Sequence, residues 1–169
     1  DAGGCRHIEM KRLGFLAVGL LALLPYLAVL HHPLLYDDRT LLDNRWLATE
    51  ASPASVLVHD YWYGTKHERS DLYRPLTILS LAWNLRATPS KEGIRAVNVL
   101  FHVMAVSTLL WLLRVLCRDL GGWGPWPTFG AALFAVHPLA SEAVLWAAGR
   151  AEILAAIFGM LAFGLLVRV

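Results

Sequence analysis

The residues best suited to chemistry lie in two short stretches, each beside a strongly apolar segment. Asp37 and Asp38 follow the first apolar segment, and a carboxylate in that position can act as a general base that takes the proton of an attacking hydroxyl. Arg150 and Glu152 precede the last apolar segment. The free amides of a helix amino terminus and an arginine fork together suit a phosphate group. The two stretches indicate group transfer at a membrane surface from a phosphate-linked donor.

His137 and Glu142 add further ionisable groups near the break between the third and fourth apolar segments. Charge that close to hydrocarbon is costly, so it is retained mainly where it faces a protein interior or a wet cavity. The cluster therefore predicts a membrane enzyme or a transporter rather than a soluble domain.

Each acidic or basic pair also has a purely structural interpretation. Asp38 could cap a short helix that runs from Thr40 onward. Arg150 could extend its guanidinium to the membrane surface and pair there with Glu152 or Glu142. The residues alone leave these alternatives open.

The composition is that of a membrane protein. Hydrophobic residues make up 57% of the chain and charged residues 17%, and the mean hydropathy of +0.50 exceeds that usual for soluble domains. No basic block interleaved with aromatic residues is present, so no nucleic acid partner is predicted. Cys5 and Cys117 match no metal or disulfide spacing, and the histidines form no metal-binding motif. The sequence therefore predicts neither a metal nor a cofactor.

Four apolar segments predict an all-α, polytopic membrane fold with spans at about 13–30, 96–113, 127–137 and 153–167. The first two are uncharged and reach the length of about 18 residues at which a helix can cross a bilayer. Residues 1–12 would form a cytoplasmic amino-terminal segment. A cleaved signal peptide is the alternative for the first apolar segment, which lacks the small-residue pattern of a cleavage site.

Basic residues predict the orientation, because lysine and arginine concentrate on the cytoplasmic side of a membrane. Lys11 and Arg12 precede the first span, Arg114 and Arg118 follow the second, and Arg168 follows the fourth. Alternating crossings place all of them on one side. The two stretches that could do chemistry then share the opposite, extracytoplasmic side.

The long first extracytoplasmic loop, residues 31–95, predicts short surface helices. Pro75 suits the first position of a helix. The spacing of Leu76, Leu79 and Trp83 is that of one apolar helix face, which predicts a helix lying on the membrane surface. Residues 40–47 predict a second such helix.

Two further groups of polar and aromatic residues stand out. Tyr61, Trp62 and Tyr63 form an aromatic cluster that, with Arg69, could hold an acceptor or simply pack the loop together. His102 lies deep in the second span, where a polar contact between helices is the favoured interpretation.

The order of the motifs resembles that of one family over residues 34–166. The motifs are YDD at 36–38, DYWYGTKHERSDLYRPLTILSLAWN at 60–84, RAVNVLFH at 95–102 and FAVHPLASEAVLWAAGRAEIL at 134–154. This order is similar to that of the transmembrane-and-tetratricopeptide-repeat protein O-mannosyltransferases and their bacterial relatives. Those proteins belong to the GT-C class of polytopic glycosyltransferases, which use polyprenyl-phosphate sugars.

The resemblance implies a role for each matching residue. The YDD motif implies that Asp37 or Asp38 is the catalytic base. The remaining matches imply residues that line the pocket of the lipid-phosphate donor; they are Arg150, Glu152, Arg74, His137 and Glu142. The loop reads YWYG where an unbroken YWG is more usual, and Glu152 stands where aspartate is common.

The resemblance also implies a function. A sugar, with mannose the expected one, would pass with inversion from a polyprenyl or dolichyl phosphate onto protein serine or threonine hydroxyls, in the bacterial inner membrane or the endoplasmic reticulum. The family has more spans and a repeat domain beyond them, so we expect this chain to be an amino-terminal part that is inactive alone. Its expected partners are membrane lipid, the lipid-linked sugar and a protein acceptor.

Two rival functions remain from the sequence. A non-catalytic membrane scaffold would keep the fold and tolerate exchange of Asp37 or Arg150. A transporter would use the charged cluster as a substrate gate, but transporters commonly contain inverted repeats, and the sequence shows none.

Overall fold

A computed structural model describes residues 2–28, 30–31, 33, 37–66, 71–118 and 125–168, with side chains from Leu13 onward. Tyr36, Arg69 and Trp123, which the sequence singles out, lie outside the described residues. The described part is entirely helical, as predicted, and contains α1 (Ala2–Leu27), α2 (Asp37–Leu42), α3 (Arg45–Thr49), α4 (Pro53–Val56), α5 (Pro75–Ala87), α6 (Lys91–Leu116), α7 (Trp126–Ala135), α8 (Ala140–Leu145) and α9 (Arg150–Arg168).

Helices α1, α6, α7 and α9 form a bundle around α6. Helix α1 runs antiparallel to α6, because Phe15 packs against Arg114 at 4.5 Å and Tyr26 meets His102 at a ring distance of 5.3 Å. Helix α7 ends beside the same histidine, whose Nε2 lies 3.1 Å from the Ala135 carbonyl oxygen. This bond confirms the predicted role of His102 as an interhelical polar contact.

Helix α9 runs parallel to α6. The Arg150 guanidinium lies 5.6 Å from the Phe101 ring at one end, and Arg168 lies 5.9 Å from Trp111 at the other. The extracytoplasmic ends predicted for the second and fourth spans therefore lie together in the structure.

Two of the helices, α6 and α9, are long and apolar enough to cross a membrane, and they contain the predicted spans 96–113 and 153–167. The apolar part of α1, Leu13–Leu27, is shorter. Helix α7 coincides with the predicted span 127–137 to within two residues, yet its 10 residues cover only about 15 Å. Crossing by the first and third segments remains a prediction.

The bundle has an apolar outer surface and buried polar groups. Exposed side chains include Leu20 and Leu24 on α1, Phe129 on α7, and Phe158 and Leu166 on α9. Asn98 and His102 on α6, in contrast, are almost completely buried. This distribution is the one expected where lipid surrounds the helices.

Helices α2 to α5 fold part of the long loop into a lobe with its own core. Buried residues from all four helices and from the connection between α4 and α5 contribute to this core; they are Leu41, Leu47, Ala51, Val56, Tyr61, Ile78, Leu81, Ala82 and Leu85. The lobe packs against the bundle through Ile94 at the start of α6 and Ala147 before α9.

The prediction of one helix over residues 40–47 is wrong in detail. The chain forms α2 and α3 with a break at Asn44, because the Asn44 side chain caps α3 by accepting a hydrogen bond from the Leu47 amide at 3.2 Å. The Asn44 amide group also donates to the Tyr63 carbonyl oxygen at 2.9 Å and so ties the break to the aromatic cluster.

Helix α5 begins at Pro75, as predicted. Leu76 is 57% exposed and Trp83 66% exposed, while Leu79 packs against the core of the lobe. The exposed pair gives α5 an apolar outer edge that suits a membrane surface.

The two ends of α6 provide a test of the orientation. Helix α6 is 26 residues long, about 39 Å at the helical rise, and it separates Cys117 from the lobe. In right-side-out vesicles of a Cys5→Ser variant, we expect a membrane-impermeant thiol reagent to miss Cys117. The same reagent should label Ser52→Cys, which lies exposed at the start of α4. Labelling of Cys117 from outside would contradict the orientation.

Candidate functional site

Arg150 is the most completely buried charged side chain among the described residues, with no exposed surface. Its Nε donates to the Asn98 Oδ1 at 2.7 Å, and its Nη2 donates to the Asn84 Oδ1 at 2.7 Å. Weaker bonds run to the Ile94 carbonyl oxygen at 3.2 Å and the Ser80 hydroxyl at 3.4 Å. One guanidinium thus joins α5, α6 and α9.

This geometry differs from the purely structural interpretation that the sequence suggested for Arg150. The guanidinium does not extend outward, and no described ion pair links it to Glu152 or Glu142. Its bonds leave little donor capacity for a ligand. Donor binding by Arg150 stays a prediction, and binding a phosphate there would require exchange of these interhelical bonds.

Gly149 explains why the chain can turn sharply into α9. A Cβ atom at this position would overlap the backbone of Ala143. The glycine therefore permits the close approach of α8 to the start of α9, which places Arg150 between the helices.

Asp38 is buried and accepts a hydrogen bond from the Ala147 amide at 2.7 Å. Burial raises the pKa of its carboxyl above the usual value, against the lowering effects of the Ala147 and Ala148 amides and of the Arg95 charge. Asp38 lies within the first turn of α2, so it does not cap a helix starting at Thr40. Its carboxylate instead attaches the lobe to the turn before α9.

Asp37 differs from its neighbour in accessibility. It is the first residue of α2 and is exposed, whereas only 2% of Asp38 is exposed. Of the two predicted bases, Asp37 is therefore the carboxylate that an external hydroxyl can reach in this structure.

Glu152 lies between two cavities that contain other predicted residues. A mainly apolar cavity of about 430 Å³ between α6, α7, α8 and α9 has His102, His137 and Glu152 among its lining residues. A second cavity of about 360 Å³ lies between the start of α5 and α9, with Arg74 and Glu152 in its wall. Glu142 is exposed in the first turn of α8 and lines neither cavity.

Tyr61 is a buried aromatic residue of the lobe. The Arg74 guanidinium lies 5.6 Å from the centre of its ring. Burial raises the pKa of the phenol, the positive charges of Arg74 and Arg150 lower it, and the negative charges of Asp38 and Asp37 raise it. Of the predicted site residues, Arg74 is therefore the one that lies over Tyr61 in this structure.

Sequence reasoning missed several residues that build this region. Asn98 also donates to the Trp146 carbonyl oxygen at 2.7 Å, and Arg95 donates to the carbonyl oxygens of Leu30 at 3.0 Å and Pro33 at 2.8 Å. Both belong to the RAVNVLFH motif, but the motif alone does not reveal their partners. Asn84 is the last residue of the motif at 60–84, but that motif likewise does not reveal its partner.

Apolar helices that enclose buried asparagine, histidine and arginine side chains define a helical membrane protein. Comparison of the sequence with known proteins identifies its relatives. Protein O-mannosyl-transferase tmtc2 of Xenopus laevis is 36% identical over 146 residues, which are 83% of this chain and 17% of the relative. Protein O-mannosyl-transferase Tmtc1 of Drosophila melanogaster is 34% identical over 155 residues, 89% of this chain and 18% of the relative.

Human Protein O-mannosyl-transferase TMTC3 is 32% identical over 133 residues, 76% of this chain and 14% of the relative. The chain belongs to this family of transmembrane-and-tetratricopeptide-repeat protein O-mannosyltransferases, as the order of its motifs predicts. It spans less than a fifth of the length of these three relatives. No protein-family model matches the chain, and no solved structure matches it significantly.

The buried arginine gives a prediction about stability. We expect Arg150→Lys to lower the thermal unfolding midpoint of the protein in detergent, because one ammonium cannot serve both asparagines and the Ile94 carbonyl oxygen. Each buried group left unpaired costs about 1–3 kcal/mol. Arg168→Lys, at the exposed end of the same helix, is the matched control and should leave the midpoint near that of the wild type. Equal midpoints for the two variants would contradict a structural role of the guanidinium.

Proposed function

We propose that this chain forms part of a membrane glycosyltransferase that moves mannose from a polyprenyl or dolichyl phosphate onto serine or threonine hydroxyls of proteins. The observation that carries the proposal is the position of Arg74, which lies 5.6 Å from the buried Tyr61 ring and shares a cavity wall with Glu152, in a chain related to protein O-mannosyltransferases. The relatives' names support the acceptor and the sugar. The lipid phosphate is our inference from the GT-C class and from the cations near the site.

The proposed reaction is a single displacement. The Asp37 carboxylate takes the proton of the acceptor hydroxyl as the hydroxyl oxygen attacks the anomeric carbon. The bond between that carbon and the phosphate oxygen breaks, and the polyprenyl phosphate leaves with the electron pair. One attack from the face opposite the phosphate inverts the anomeric configuration.

Asp38 acts in this proposal through position rather than contact. Its bond to the Ala147 amide holds α2 against the turn before α9, and so fixes the direction of Asp37 at the start of the same helix. Arg74 is the proposed anchor for the donor phosphate, because it is half-buried and lines a cavity with Glu152. Glu152 repels a phosphate and would orient Arg74 or the acceptor.

The apolar cavity lined by His137 and Glu152 is the proposed place for apolar groups of the donor. His137 is exposed at its rim and supplies a hydrogen-bonding group there. Glu142, exposed on α8, remains a proposed contributor to the same entrance.

The proposal includes a multi-pass membrane domain with the lobe on the extracytoplasmic side. Two helices meet the length and hydropathy of a span, and the apolar outer faces of α1 and α7 support a membrane location for them too. The exposed Leu76 and Trp83 would then rest on the membrane surface.

The two aspartates give a test of catalysis in the full-length protein that contains this chain. We expect Asp37→Asn to reduce mannose transfer by about 10²–10⁴-fold, the usual cost of losing a general base, without changing the unfolding midpoint. Asp43→Asn, at an exposed site beyond the same helix, should leave both unchanged.

Variants of Asp38 separate its role in holding α2 in place from a role as the catalytic base. Asp38→Asn retains an oxygen for the Ala147 amide and should keep the fold, whereas Asp38→Ala should lower the unfolding midpoint. A stable Asp38→Asn protein that loses as much transfer as Asp37→Asn would move the base to Asp38. Near-normal transfer by both asparagine variants would contradict the proposed mechanism.

Arg74 provides a test of donor binding. A lysine cannot engage two phosphate oxygens as a guanidinium does, so Arg74→Lys should raise the KM for the lipid-linked donor about 10-fold, the equivalent of one hydrogen bond to a charged group. The KM for the acceptor should not change. Arg39→Lys, an exposed substitution in the same lobe, is the control. An unchanged donor KM would remove Arg74 from the donor site.

A further inference from the structure

The Tyr61 hydroxyl is the only buried side-chain polar atom among the described residues that has no hydrogen-bond partner. Only 2% of Tyr61 is exposed, so water cannot serve the hydroxyl as it serves a surface group. An unmade hydrogen bond at a buried donor is destabilising, and phenylalanine would fill the same space without that cost. The presence of a tyrosine therefore needs an explanation other than packing.

The surroundings of Tyr61 indicate which kind of ligand the hydroxyl can meet. The Arg74 guanidinium lies over the ring at 5.6 Å, and the same side chain lines the cavity shared with Glu152. An anion that engages Arg74 from the cavity is therefore bound by the same guanidinium that lies over the Tyr61 ring.

The backbone holds Tyr61 in this position. Its amide donates to the Leu72 carbonyl oxygen at 2.7 Å, two residues before Arg74, and its ring packs edge-on against Trp62 at 4.9 Å. The phenol and the guanidinium thus form one unit, set by the connection between α4 and α5.

We propose that the Tyr61 hydroxyl donates a hydrogen bond to a phosphate oxygen of the lipid-linked donor, and that the hydroxyl becomes accessible when the phosphate bound in the cavity draws the Arg74 side chain away from the ring. The inference rests on the proposed function and adds a second donor-site residue to it. A hydrogen bond to a charged oxygen is stronger than one between neutral groups. The hydrogen bond of the Tyr61 hydroxyl would thus form only when the lipid-linked sugar phosphate binds.

The protonation state of Tyr61 agrees with this role. Burial raises the pKa of the phenol above its usual value, so the hydroxyl keeps its proton at neutral pH. It can therefore donate to an anionic oxygen, and it adds no negative charge to repel one.

The test compares Tyr61→Phe with the wild type in the full-length protein, using dolichyl phosphate, which carries no sugar, as the probe. We expect the dissociation constant for dolichyl phosphate in detergent to rise about 10-fold or more, while the unfolding midpoint of the ligand-free protein stays equal or rises. Tyr63→Phe, a partly exposed tyrosine in the same cluster, is the matched control and should change neither quantity.

Each outcome bears on the inference without depending on catalysis. Equal dolichyl phosphate binding by Tyr61→Phe and wild type, or no binding by the wild type, would overturn it. A lower unfolding midpoint of ligand-free Tyr61→Phe would also overturn it, because the hydroxyl would then have a partner in the empty protein. A wild type that binds dolichyl phosphate through Tyr61 but transfers no mannose would disprove the proposed function and leave the phosphate contact in place.

Discussion

The hydrogen bonds of Arg150 are the interaction on which the rest of this structure depends. A guanidinium with no exposed surface is stable only where its donors find acceptors, and here the Asn98 and Asn84 oxygens each accept at 2.7 Å. Because the three residues lie on different helices, satisfying one charge fixes how those helices cross. The apolar contacts of the bundle contribute buried surface, whereas the hydrogen bonds of Arg150 determine a single arrangement of the helices.

The lobe and the bundle are joined by polar bonds of the same type. Asp38 accepts from the Ala147 amide, and Arg95 donates to the carbonyl oxygens of Leu30 and Pro33. Asp38 thereby attaches the lobe to the turn before α9, and Arg95 attaches α6 to the chain that leads into the lobe. The cavity between α5 and α9 also combines the two parts, because Arg74 of the lobe and Glu152 of the bundle both line it.

The sequence predicted the helical class, the two long apolar helices and the start of α5 at Pro75, because apolar runs and proline act locally. It did not predict the break at Asn44, since asparagine can equally continue a short helix or cap the next one. It also did not predict the partners of Arg150, because a pattern of charges does not reveal that Asn84, 66 residues away, supplies an acceptor. Pairings of this kind depend on tertiary structure.

The sequence distance between partners also affects the order of assembly. Asp38 and Ala147 are separated by 109 residues, and contacts so distant along a chain form late. During synthesis, the lobe is translated before the turn that it must bind. Until α9 is in place, Asn84 and Asn98 lack their guanidinium and the Asp38 carboxylate lacks its amide. The nascent lobe is thus an incomplete intermediate, and the packing of α9 against it is the event that completes it.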